Sequence, residues 1–210
     1  MITDENSRSS EFPENMNFTN MKQDFILKIH NYKKNGHYVE LGGSHFKENN
    51  NTYVLEKNYD WTGVSFEMQE DLQKLYVENR KNECILCNAL TFDYLSYFNK
   101  KQYPKQIDFL SVNIDPGYNE NTGRMLDNPA QSLLGLIALP LNQYRFTIIM
   151  FEHDTLQHFK NSSIRDAQRE ILDALGYSLV CQSSTEDWWI DPGIIPYSIY
   201  KNYHRFFTGF

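Results

Sequence analysis

The sequence predicts an α/β fold: a mostly parallel, twisted sheet with helices on both faces. Three observations carry that prediction. Short apolar runs alternate with amphipathic stretches of helical period, as successive βαβ units require. Two of the runs, residues 107–114 and 144–151, are apolar almost throughout, the mark of strands buried on both faces. A polar residue follows each run, and sheets of this kind bind ligands beyond the carboxyl ends of their strands.

The elements follow in order. Residues 1–16 are polar, contain Pro13 and lack periodicity, so a flexible N-terminal segment is expected, with one domain over 17–210. Met21, Phe25, Ile29 and Tyr32 recur every three or four positions, which predicts a helix over 18–34, stopped at Asn35-Gly36. Strands are expected at 37–41, 61–66, 84–87, 107–114, 144–151 and 177–182. Helices are expected at 51–59, 71–80, 130–139 and 162–175. Gly117–Asn128 is rich in Gly, Asn and charge and reads as a loop that is a candidate substrate lid, with Arg124 a candidate contact. No internal repeat or linker divides the chain.

Composition narrows the function. Twenty Lys and Arg stand against 27 Asp and Glu, a formal charge of −7, so no nucleic-acid partner is expected. The longest apolar run, Leu133–Leu141, is broken by Gly135 and Pro140 and is too short for membrane insertion. Met1–Asn20 carries no secretory pattern, and three cysteines make no disulfide framework, so a cytoplasmic location is expected. Cys84 and Cys87 form a CxxC, but three residues apart on a strand they face opposite ways, and no second pair completes a zinc set. Aromatics reach 15%, enough for a core and an aromatic-walled pocket.

The strand ends hold the candidate chemistry. They are Glu40-Leu41-Gly42-Gly43-Ser44-His45, then Glu67, then Asn88-Ala89, then Asn113-Ile114-Asp115, and last Glu152-His153-Asp154. Glycines after the first strand let backbone approach a ligand closely. An acid after the second can accept both hydroxyls of a ribose. Neither GxGxxG nor GxxxxGK[ST] occurs, so a nucleoside ligand without a phosphate chain is favoured, and S-adenosylmethionine is the commonest such cofactor.

Longer segments carry a family resemblance. Asn51-Thr52-Tyr53-Val54-Leu55-Glu56-Lys57 followed by Asp60-Trp61-Thr62-Gly63-Val64-Ser65-Phe66-Glu67 resembles a pattern of the FkbM-like S-adenosylmethionine-dependent methyltransferases. Tyr144–Asp154 and Glu186–Pro192 resemble the YRFxxIxFEHD and EDWWxDP segments of one subgroup. The resemblance spans about residues 37–195. It implies a Rossmann-like class I methyltransferase acting on sugar hydroxyls. The expected cofactor-binding residues are Glu40, Gly42, Gly43, Ser44, Thr52, Glu67, Met68, Asn88, Ala89 and Asn113. The sequence departs from the pattern at Phe46, where relatives often carry glycine, and at Asn88 and Asn113, where they carry Asp.

Transfer to a hydroxyl needs a group that takes its proton. His153, Asp115 and Asp154 are the expected catalytic residues. Two versions of the chemistry stay open. In one, Asp115, Glu152 and His153 hold Mg²⁺ or Mn²⁺, which suit carboxylates; in the other, His153 is a metal-free base. The expected partner is a small-molecule or glycan acceptor. The aromatic C-terminus, residues 203–210, docks either on its own domain or on a second subunit in a homodimer. Two other functions compete: a binding module of this fold without turnover, and an O-methyltransferase for another small acceptor.

Overall fold

The protein is described by a computed structural model covering residues 18–115, 118–119, 124–125, 130–153, 162–201 and 203. Strands β1 (His37–Leu41), β2 (Thr62–Glu67), β3 (Glu83–Leu86), β4 (Gln106–Val112), β7 (Arg145–Glu152), β8 (Ser178–Gln182) and β9 (Glu186–Ile190) form one sheet. The remaining strands, β5 (Tyr118–Asn119) and β6 (Arg124–Met125), make a separate antiparallel pair inside the expected loop. The sheet order is β3-β2-β1-β4-β7-β9-β8. Strands β1, β2, β3, β4 and β7 pair in parallel, and β9 runs antiparallel between β7 and β8.

Seven helices are described: α1 (Phe18–Ile29), α2 (Tyr53–Tyr59), α3 (Glu70–Asn79), α4 (Tyr94–Lys100), α5 (Gln131–Ala138), α6 (Ser163–Ala174) and α7 (Tyr197–Tyr200). They divide between the two faces. Phe25 and Ile26 of α1 and Leu55 of α2 pack with Tyr38, Phe109, Ile148 and Trp188 on one side of the sheet. Phe98 of α4, Leu136 of α5 and Leu172 of α6 pack with Val39, Leu110, Ile149 and Trp189 on the other. Alternate residues of each strand serve the two cores, as the pleat requires. Both faces are covered, which explains why the central strands read as continuous apolar runs. Among the described residues, no helix is long and apolar enough to cross a membrane.

Three differences from expectation have local causes. The first helix ends at Ile29, not Lys34, because the backbone turns left-handed at Asn31, Tyr32 and Asn35 (φ 50°, 56° and 56°). Lys33 there anchors on Asp108 of β4, at 2.7 and 2.9 Å. Helix α4 falls in a stretch with no expected element; Asp93 caps it by accepting from the Ser96 amide at 3.0 Å. Strand β9 lies where the sequence predicts no strand, since its acidic first half masks a segment buried at every position.

The sheet's packing yields one test. Gly63 on β2 lies opposite Tyr38 on β1, and a Cβ there would stand 2.5 Å from the Tyr38 ring. Gly63→Ala is expected to destabilise by about 1–3 kcal/mol, measured as a lower urea midpoint at unchanged m-value. An unchanged midpoint would show that the ring moves aside freely.

Candidate functional site

The strand order reverses between β1 and β4, and the crevice at that switch point is where open α/β sheets bind ligands. Gly42 follows β1 with φ of +85°, and a Cβ on it would lie 1.7 Å from the Asn113 carbonyl oxygen after β4. Only glycine allows that approach. The amides of Gly42 and Gly43 both donate to the Phe66 carbonyl of β2, at 3.0 and 3.1 Å. The Asn113 amide donates to Leu41 at 2.9 Å. The two loops are thus sewn to the strands beneath them.

Glu67 closes β2 and shapes the same loop. Its Oε2 accepts from the Ser44 amide at 2.8 Å, and its Oε1 accepts from the amides of Met68 and Gln69, each at 2.8 Å. Ser44 is held at φ of 47°, a conformation a serine adopts at a cost. A carboxylate has about four acceptor positions, so room remains for a further donor. Beside it the Met68 side chain is 65% exposed, an apolar surface at a polar edge. After β3, the exposed Asn88 turns its side-chain oxygen to the Leu90 amide at 2.9 Å, and Ala89 is buried.

Glu40 lies deeper. Its Oε2 accepts from Ser65 Oγ at 2.6 Å, Thr52 Oγ1 at 3.1 Å and Asn50 Nδ2 at 3.4 Å. Burial pushes its carboxyl up to about 7, against the nearby Arg80 charge and these hydrogen bonds, which pull it down. Arg80 is the other half of this buried network. It donates to Glu56 Oε2 at 2.7 Å, the Phe46 carbonyl at 2.9 Å, Asn50 Oδ1 and Thr52 Oγ1 at 3.1 Å, and Tyr38 OH at 3.2 Å. Phe46, where the family pattern has glycine, therefore contributes a carbonyl and needs no special conformation. Thr52 is fully buried inside the network.

Asn51 was not singled out from the sequence, for nothing in the local pattern separates it from its neighbours. It is 5% exposed, and its Nδ2 donates to Ser111 Oγ near the end of β4 at 3.0 Å. Its Oδ1 is buried without a hydrogen-bond partner.

Beyond β7, Glu152 and His153 part to opposite faces. Glu152 pairs in register with Glu186 of β9, and Glu186 is held by Lys22 of α1 at 2.5 Å and by the Trp188 indole. His153 goes to the opposite face, fully buried, with its Nε2 3.6 Å from Asp187 Oδ1. Asp187 accepts from Gln168 Nε2 at 2.5 Å and from Arg169 at 2.6 and 2.7 Å. Burial raises its carboxyl, but the Arg169 hydrogen bonds and charge, with His153 beside it, outweigh this and hold it below the ordinary range. Asp115 is exposed after β4. Asp154 and the Arg124 side chain lie outside the described residues, as do most of the expected lid and residues 1–16. Trp188 and Trp189 are both buried, on opposite faces.

The structure does not bring the expected metal trio together. Among the described residues, no three His, Cys, Asp or Glu side chains gather as metal ligands, and Asp115, Glu152 and His153 are all described. Glu152 and His153 are consecutive on extended backbone, so one faces α1 and the other α6. Cys84 and Cys87 are free thiols, and burial pushes Cys84 up to about 12.

No family model matches the chain, and no curated protein matches it. Solved structures do. A Staphylococcus aureus protein named as a candidate caffeoyl-CoA O-methyltransferase is 10% identical, with 82% of each chain covered and a TM-score of 0.55. The human methyltransferase 10 domain containing protein is 12% identical, covers 85% of this chain and 83% of its own, and gives a TM-score of 0.51. At these identities the likeness is one of fold. The fold is that of the Rossmann-like class I methyltransferases.

Two tests follow from the buried network. Arg80→Met is expected to cost about 3–5 kcal/mol, because Glu56 and Glu40 would be left buried without their cation; chemical denaturation measures it. The Glu40 carboxyl, raised from an ordinary 4.5 to about 7, binds its proton more tightly when folded. Its contribution to stability is full below pH 4.5 and is lost as pH rises through about 7. The wild type should therefore lose up to about 1.4 kcal/mol per pH unit across that window relative to Glu40→Gln. Parallel pH profiles for the two proteins would refute the raised value.

Proposed function

We propose that this chain is an S-adenosylmethionine-dependent methyltransferase that methylates a hydroxyl of a sugar or glycan. The observation that carries the cofactor class is the switch-point crevice. There Gly42 brings backbone against Asn113, and an acid closes the neighbouring strand. No phosphate-cradling glycine loop accompanies it. The residues fit a nucleoside bearing an amino-acid tail. Glu67 keeps one acceptor position for a ribose hydroxyl, exposed Met68 offers an apolar surface for the adenine face, and exposed Asn88 offers an amide for its edge. The sugar acceptor rests on the resemblance to FkbM-like enzymes in the segments around Asn51–Glu67, Tyr144–Asp154 and Glu186–Pro192.

When bound, S-adenosylmethionine supplies an electrophilic methyl group on a sulfonium. The chain's residues must hold the acceptor hydroxyl and remove its proton. The base we assign among the described residues is Asp115, exposed and two residues beyond Asn113 of the switch point. His153, buried against Asp187, serves as base only if the end of β7 opens. That burial also favours a second reading, a module that binds the cofactor without turnover.

Calorimetric titration of S-adenosylmethionine into wild type and Glu67→Ala tests the cofactor. Micromolar binding is expected, weakened at least ten-fold in the variant. Failure of folded wild type to bind would overturn the reading. With binding in hand, methyl transfer to rhamnose-like and other glycosides, abolished in Asp115→Asn, separates the enzyme from the module.

A further inference from the structure

The buried oxygen of Asn51 is the feature of the crevice left unexplained by the fold. An amide oxygen held away from water without a partner carries its full desolvation penalty, and native proteins rarely retain such a group without a use. Asn51 does not take part in the Glu40–Arg80 network, although Asn50 and Thr52 on either side of it do. It reaches across to β4 instead, where its Nδ2 is fixed by Ser111 Oγ. Ser111 pairs in register with Glu40 and lies two residues before Asn113, the residue against which Gly42 packs. The oxygen therefore belongs to the layer directly behind the switch-point crevice, on the side where β1 and β4 part.

Its chemistry selects the ligand group. An amide oxygen is an acceptor only, so it needs a donor. A cationic donor gains most, because charge-assisted hydrogen bonds are the strong ones. Glu40, the carboxylate paired in register with Ser111, has Oε2 engaged by three side-chain donors, and burial raises its affinity for a proton. It is a poor counter-ion for a ligand ammonium. We infer that the Asn51 side-chain oxygen receives the α-ammonium group of the cofactor's amino-acid tail, and so makes Asn51 a specificity-determining residue for a ligand carrying that tail. This rests on the cofactor reading above.

The test uses two ligands that differ only in the tail. S-adenosylhomocysteine carries the α-ammonium; 5′-methylthioadenosine keeps the nucleoside and thioether and lacks the amino acid. Calorimetry on wild type, Asn51→Ala and Asn51→Asp reads both. Asn51→Ala is expected to weaken S-adenosylhomocysteine ten-fold or more and to leave 5′-methylthioadenosine within two-fold. Asn51→Asp, which keeps an acceptor and adds charge, is expected to hold S-adenosylhomocysteine near or above wild-type affinity. Equal weakening of both ligands in Asn51→Ala, or no weakening of either, would overturn the assignment while leaving the cofactor reading intact. Wild type that binds neither ligand overturns the cofactor reading and the assignment with it. If Asn51→Ala does not fold, loss of S-adenosylhomocysteine binding in folded Asn51→Asp overturns the assignment and retained binding supports it.

Discussion

The loop between β1 and α2 is built over one buried cation. Arg80 leaves the end of α3 and meets the loop after β1, the start of α2 and the Tyr38 hydroxyl. Its pairing with Glu56 is fully desolvated on the arginine side. Burial alone would lower its proton affinity, but the surrounding Tyr38, Tyr76, Glu40 and Glu56 outweigh that and hold it charged. A pair of this kind adds little net stability compared with apolar replacements, yet removing one member is costly. Its value here is geometric. Three of the five acceptors around this rigid fork, Phe46, Asn50 and Thr52, fix where residues 46–52 run after β1.

The second constraint is steric. Gly42 stands where two strands part, and the carbonyl of Asn113 occupies the space a side chain would need. Glu67 completes this by clipping the Ser44 amide to β2. A carboxylate between a glycine loop and a strand end thus shapes the loop by hydrogen bonds and remains at the crevice with acceptor capacity. The two roles do not conflict, because three amides leave one of its acceptor positions.

The pleat decides which polar residues cooperate. Glu152 and His153 are neighbours in the chain but belong to opposite layers: one beside Glu186 and Lys22, the other beside Asp187, Arg169 and Gln168. Strand β9 produces this division. Its alternating residues supply Glu186 and Trp188 to one face and Asp187 and Trp189 to the other. The Asp187 carboxylate is stable in the interior because Arg169 meets it with two nitrogens, a geometry that a carboxylate matches well.

Periodicity and strand-end chemistry in the amino-acid sequence determined the mostly parallel α/β sheet, six of its seven strands and the polar edge at their ends. These are local signals: an apolar run, a period of 3.6 and a glycine after a strand can be read within a dozen residues. Helix α4 escaped that reading because its aromatic run lacks a clean polar face, and β9 because its acids are neutralised by residues far off in the chain. Tertiary structure alone decided which side chains share a face and which buried acceptors are satisfied. Which polar atoms of Glu40, Asn50, Asn51 and Thr52 are satisfied depends on Arg80, Ser65 and Ser111, which lie 25 to 71 residues away from Glu40 along the chain. Hydrogen-bond satisfaction is a property of the assembled neighbourhood, and no pattern within residues 40–52 encodes it.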